Sequence, residues 1–255
     1  MLVKRIIPCL DCTFVRGKPQ VVKGTQFRRL KYAGVPWELA EQYYAAGADE
    51  IVLLDISASN EGRKTMADIV RRTTENVFVP VCIGGGIRSV NDFRRMLNAG
   101  ADKCAINTSA ILNPALIRNA SKIFGSNCVV VSIDAKKFGQ RYECMIYGGR
   151  KRAGLDAIEW AKKATELGAG EILLTSVDAD GTRAGYDLEL LRKVCDAVDV
   201  PVIASGGCGS PKDMLAALKQ TDASAVLAAG IFHYKKYSIR QVKKYLEKNG
   251  VEVRL

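Results

Sequence analysis

Eight short runs of β-branched or apolar residues recur along the chain, at 5–11, 50–56, 79–84, 102–107, 128–134, 170–176, 200–205 and 224–229. Each has the length and composition of a strand. Longer stretches with helical patterning separate them, such as PWELAEQYYAAG, NDFRRMLNAG, DAIEWAKKATELG and SIRQVKKYLEKNG, and several of these end in the Gly that usually follows a helix. Strand and helix in alternation predict parallel βαβ units. Eight such units in 255 residues predict an α/β protein built as a closed (β/α)8 barrel, in preference to an open doubly wound sheet. Two segments interrupt the pattern. Residues 12–34 read as a long loop after the first strand, and 138–149 as a small hairpin after the fifth; both are expected at the barrel mouth.

The chain also repeats itself. VPVCIGGGIRSVNDFRRML begins at Val79, and the similar VPVIASGGCGSPKDMLAAL begins 121 positions later, at Val200. One barrel domain spanning 1–255 is therefore expected, made of half-barrels at about 1–124 and 125–255. The repeat gives meaning to two odd residues. IIPCLDC runs from an apolar stretch into Asp11, and VVVSID does the same into Asp134, 123 positions on. Both end a strand, the first and the fifth, which in an eight-strand barrel face each other. Catalytic groups of such barrels sit at the C-terminal ends of the strands. Two opposed carboxylates there form a candidate acid/base pair. A lone aspartate would more simply cap a neighbouring loop; two at equivalent positions favour the catalytic reading.

The halves share a second feature. Gly84-Gly85-Gly86 and Asn107-Thr108 follow the third and fourth strands, and Ser205-Gly206-Gly207 and Ala228-Ala229-Gly230 follow the seventh and eighth. Glycine lets backbone N–H groups approach an anion, and a following helix adds its dipole. Tight βα turns need glycine in any case. Two such sets at equivalent positions predict an elongated substrate with a phosphate at each end, its reacting centre between the two aspartates.

Composition narrows the picture. Hydrophobic residues make up 48% and charged residues 25%, as in a globular protein. No apolar run approaches the roughly 18 residues that span a bilayer, and the first residues carry too short an apolar core for a signal peptide. A cytoplasmic protein without a membrane partner is expected. The net charge of +11 fits either a solvated basic surface or attraction of an anionic substrate. The basic residues neither cluster in a tail nor interleave with aromatics, which argues against nucleic acid. The eight cysteines are scattered, mostly in strand-like runs, and are expected to be reduced and buried, with no metal site and no cofactor.

Several stretches carry a family resemblance: KRIIPCLDC, VVKGTQF, DEIVLLDISAS, RKTMADIV, GADKCAINTSA, VVVSIDAK, GAGEILLTSVDADGT and AGYD on either side of Arg183, VPVIASGG and FHY near the end. Together they span essentially the whole chain, and they resemble the cyclase subunit of imidazole glycerol phosphate synthase, of histidine biosynthesis. The resemblance implies a bisphosphate substrate, a phosphoribulosyl-formimino derivative of aminoimidazole carboxamide ribonucleotide. It is attacked by ammonia from a partner glutaminase to give imidazole glycerol phosphate and the aminoimidazole carboxamide ribonucleotide. It also implies Asp11 and Asp134 as acid and base, Lys23 on a closing loop, and Thr175, Asp180, Gly181 and Ser205 in the pocket, beside Gly86, Asn107, Thr108, Gly206, Gly207, Ala229 and Gly230 at the phosphates. Arg5, Glu50, Lys103 and Glu171 lie at the starts of strands. By themselves they read as surface ion pairs of little energetic weight. The resemblance makes them a gate for ammonia on the N-terminal face, where the glutaminase would dock. Three residues depart from the family pattern: Ala179 stands for an arginine, Gly230 for a serine and Val35 for an aspartate. His233, the only histidine, is read as structural. The competing functions are the related bisphosphate-barrel isomerase of the same pathway, a paralogue that supplies ammonia for sugar amidination, and a non-enzymatic RNA-binding protein.

Overall fold

In the computed structural model the described residues are 3–15, 18–25, 28–56 and 67–255; the side chains of 15, 23–25 and 28–31 lie outside the description. In chain order the strands are β1 (Arg5–Val15), β2 (Lys18–Thr25), β3 (Arg28–Gly34), β4 (Ile51–Asp55), β5 (Val81–Gly84), β6 (Lys103–Ile106), β7 (Val129–Phe138), β8 (Arg141–Ile146), β9 (Lys151–Asp156), β10 (Glu171–Ser176), β11 (Val202–Ser205) and β12 (Ala225–Ala228). All eight apolar runs are strands. They pair in parallel in the order β1-β4-β5-β6-β7-β10-β11-β12, and β12 returns to β1, which closes the barrel. β1 and β7 are four strands apart in either direction, so Asp11 and Asp134 face each other as expected.

Helices cover the outside, and their ends follow their sequences. Ser89 accepts from the Asp92 amide at the start of the helix Val90–Asn98, and Asp156 accepts from Ile158 and Glu159 at the start of Ala157–Glu166. Ser238 and Gln241 form a reciprocal capping box for Ile239–Lys248. Val35 precedes the helix Pro36–Ala45 and gives it no side-chain cap.

Strand alternation splits the apolar residues into two layers. One, including Leu10, Leu53, Ile83, Phe93, Met96 and Ile117, packs barrel against helices. A smaller one fills the barrel interior with Ile7, Val52, Cys82, Ala105, Val130 and Leu173. Cys9 and Cys12 stand at C-x-x-C spacing, yet Cys9 belongs to the interior layer and Cys12 to the outer one, so the strand holds them apart. All eight cysteines are free. Five are buried, while Cys128, Cys195 and Cys208 are only half-buried, against the expectation that all would be.

The expected loop at 12–34 is instead strand throughout its described residues. β1 runs on to Val15 and pairs with β2 from Cys12↔Val21 to Val15↔Lys18, and β3 joins β2. Cys12, Val21 and Val22 bury their side chains and anchor this ribbon, while its polar positions made it read as a loop. The expected hairpin at 138–149 is present and gains a third strand, with β7, β8 and β9 in antiparallel order. Among the described residues no helix is long and apolar enough to cross a membrane.

Candidate active site

A cavity of about 1180 Å³ opens where the barrel strands end. Asp11, Gly84, Gly85, Gly86, Asn107, Thr108, Asp134, Thr175, Asp180, Gly181, Ser205, Gly206, Gly207, Ala229 and Gly230 all line it, so the residues predicted for this end meet in one space. Lys23 is the exception. Its backbone belongs to β2, and its side chain lies outside the described residues.

Both facing aspartates are buried, Asp11 at 4% and Asp134 at 8% exposure. The Cys9 thiol stands 3.5 Å from Asp11 Oδ1, in position to donate to it. Asn107 donates its side-chain amide to Asp134 Oδ2 at 3.0 Å. Burial holds the Asp134 carboxyl at about 7, well above the ordinary carboxylate range; the charges of Asp180 and Asp11 add to the rise, and the bond from Asn107 opposes it. At this value Asp134 both gives and takes a proton near neutral pH.

The two glycine turns match in detail. Gly85 and Gly86 have φ of 92° and 73°, Gly206 and Gly207 of 88° and 100°, values that L side chains rarely adopt. Space forbids a side chain as well. A Cβ on Gly85 would fall 2.8 Å from the Asp55 Cβ, and one on Gly206 would fall 2.6 Å from the Ser176 carbonyl oxygen. Asn107 and Ala229 precede short helices with nearly the same backbone, φ −119° and ψ −86° against φ −122° and ψ −70°. The Thr108 hydroxyl accepts from the Tyr147 amide at 2.9 Å.

Among the lining residues that sequence reading missed are Asp55, Arg88, Arg150, Arg183 and Tyr234. Asp55 is 2% exposed and ends IVLLD, the same run into an acid that singled out Asp11. The three arginines are exposed, and nothing in their sequence setting marks them. His233 does not line the cavity; it is buried, bonded to the Tyr43 hydroxyl and stacked on its ring.

At the opposite end Arg5, Glu50, Lys103 and Glu171 form a closed ring. Arg5 bonds Glu50 and Glu171 through separate nitrogens. Lys103 reaches Glu50 Oε2 at 2.9 Å and Glu171 Oε2 at 2.8 Å. These are not ordinary surface pairs: both glutamates are buried, Glu50 at 1% exposure. Burial works against the charge on Arg5 and Lys103, and the two glutamates more than offset it, so both cations are held above their ordinary values. Burial raises the Glu50 carboxyl, opposed chiefly by Lys103.

A parallel eight-strand barrel with buried, opposed carboxylates in a cavity at its C-terminal ends belongs to the class of (β/α)8-barrel enzymes. Comparison with known proteins is specific. The family model described as Histidine biosynthesis protein matches residues 5–238. A Methanobrevibacter smithii protein named imidazole glycerol phosphate synthase subunit HisF is 56% identical over all of both chains. Proteins of the same name are 57% identical in Clostridium botulinum, over all of both chains, and 56% identical in Methanopyrus kandleri, over 99% of this chain and 98% of that one. The chain belongs to the histidine-biosynthesis protein family.

Proposed function

We infer that the chain is the cyclase of imidazole glycerol phosphate synthase in histidine biosynthesis, and that Asp11 and Asp134 carry its acid and base chemistry. The observation that bears most weight is the placement of these two carboxylates on opposed strands of one cavity, between matched glycine turns. In this reading the bisphosphate lies across the mouth. One phosphate meets the backbone amides near Gly86 and Thr108, the other those near Gly207 and Gly230. Ammonia adds to the ribulosyl carbonyl, and proton transfers at Asp11 and Asp134 drive loss of water, elimination of the aminoimidazole carboxamide ribonucleotide and closure of the imidazole ring. Asp180, Thr175, Gly181, Ser205, Gly206 and Ala229 complete the pocket wall, and Lys23 belongs to β2, the strand that pairs with β1. The matched turns also support the reading of the barrel as two equivalent halves.

The relatives are named as subunits, so they work with a partner. We take that partner to be a glutaminase docked on the N-terminal face, over the ring of Arg5, Glu50, Lys103 and Glu171. Ammonia reacts only as the neutral molecule, and the apolar interior layer admits the neutral form far better than ammonium. The cavity reaches down to Ala105, two residues above Lys103 on β6, which is about 7 Å along a strand. The free cysteines favour a reducing, cytoplasmic setting. Purified chain supplied with the bisphosphate and ammonium salts at high pH tests the reading. Product without any glutaminase is expected, and its absence refutes the assignment.

A further inference from the structure

Resting on the cyclase reading, we propose that Arg183 is the side chain that binds the phosphate at the second glycine turn, held in place by the Tyr234 ring. Four contacts enclose this corner of the mouth. Arg183 adopts φ 62°, a left-handed conformation that costs a non-glycine residue energy and is kept only where the surroundings impose it. Its own surroundings do so. A side chain on Gly209 would put a Cβ 2.9 Å from the Arg183 Cβ, so the two loops touch backbone to backbone. One residue pair further on, the Gly185 amide bonds the Gly207 carbonyl at 2.9 Å. The Arg183 guanidinium then lies 5.9 Å from the centre of the Tyr234 ring, and that ring stands 3.8 Å from where a Gly230 side chain would begin.

Arg183 thus links Gly207, through the loop contact, to Gly230, through Tyr234, and both it and Tyr234 line the cavity. Among the described residues no carboxylate pairs with Arg183, so its charge is available to an anion. Tyr234 remains 42% exposed, and its ring lies within reach of a cation–π contact with the Arg183 guanidinium. A guanidinium suits phosphate, offering parallel N–H donors to two oxygens.

The test is steady-state kinetics with the bisphosphate and saturating ammonium. Arg183→Met is expected to raise KM about tenfold or more, the scale of a charge-assisted bond to phosphate. Its kcat should stay within about twofold, because the phosphate is bound alike before and during the reaction. Arg183→Lys should recover part of the affinity. Tyr234→Phe should leave KM near the unaltered value, whereas Tyr234→Leu should raise it. A KM unchanged in Arg183→Met, or a loss confined to kcat, overturns the proposal. Turnover by the unaltered chain is measured first in the same assay, so a failure of the cyclase reading shows before any variant is compared.

Discussion

Asn107 donates its side-chain amide to Asp134 across 3.0 Å, and that bond opposes the burial and neighbouring charge that hold the carboxyl at about 7. Beyond its place in the proposed phosphate turn, Asn107 therefore keeps the ionised form of Asp134 within reach near neutral pH. Replacing it by leucine removes the hydrogen bond that lowers the value, so the titration of Asp134 should move upward from about 7. The alkaline displacement should appear in the pH profile of ammonia-dependent kcat/KM and in the carboxyl carbon shift followed by NMR. Asp11 and Asp180 are close enough to couple, so the displaced value belongs to the cluster. A downward displacement, or none, would remove Asn107 from this role.

Asp134 also places a cost on the fold. Its folded value of about 7 lies above the ordinary 3.8, so between those pH values the folded chain binds more protons than the unfolded one. Stability contributed by this group is complete below pH 4 and is lost as pH rises through 7. Asp134→Asn abolishes the ionisation and should therefore stabilise the protein at pH 8, by an amount on the order of a few kcal/mol. The gain should shrink steadily as pH falls toward 4. Thermal unfolding of both proteins across this range checks the sign, and a gain that grows toward low pH would refute the account.

The charged ring at the barrel bottom makes a different prediction. Lys103→Ala leaves Glu50 and Glu171 to share Arg5 alone. Breaking a buried charge network of this kind costs about 3–5 kcal/mol, so a lower melting temperature is expected. The route of ammonia is read separately, from the ratio of two rates. On the proposed reading, ammonia added to solution reaches the acids from the open mouth, whereas ammonia from a docked glutaminase would have to pass the ring. Glutamine-dependent turnover should fall much further than turnover with added ammonium. Equal losses in both assays would reduce the ring to a stability element.

The eight strands were legible because each barrel strand is apolar on both faces, one toward the helices and one toward the interior, as Leu53 and Val52 illustrate on β4. The ribbon of β2 and β3 was not, because it pairs on β1 outside the barrel ring and its sequence mixes strand-forming valines with charge. Asp11 and Asp134 stood out because the repeat presents them twice. Asp55 did not, although it ends the same kind of run. Its equivalent in the other half is Ser176, the residue that Gly206 approaches just as Gly85 approaches Asp55, so no pair of acids drew attention to it. The four ring charges are scattered between positions 5 and 171, and only barrel closure turns them into alternating neighbours. Arg183 and Tyr234 meet across two loops 51 positions apart, a contact with no local signal.

The central claim is that Asp11 and Asp134 carry out the chemistry at the mouth, and ammonia-dependent turnover tests it most directly. Purified chain, its Asp11→Asn variant and its Asp134→Asn variant are compared with the bisphosphate and saturating ammonium, without glutaminase, so neither the ring nor docking enters the rate. Each variant should retain its fold by circular dichroism and lose at least about a hundredfold in kcat, the scale of a missing general acid or base. Turnover close to that of the unaltered chain in either folded variant would contradict the account.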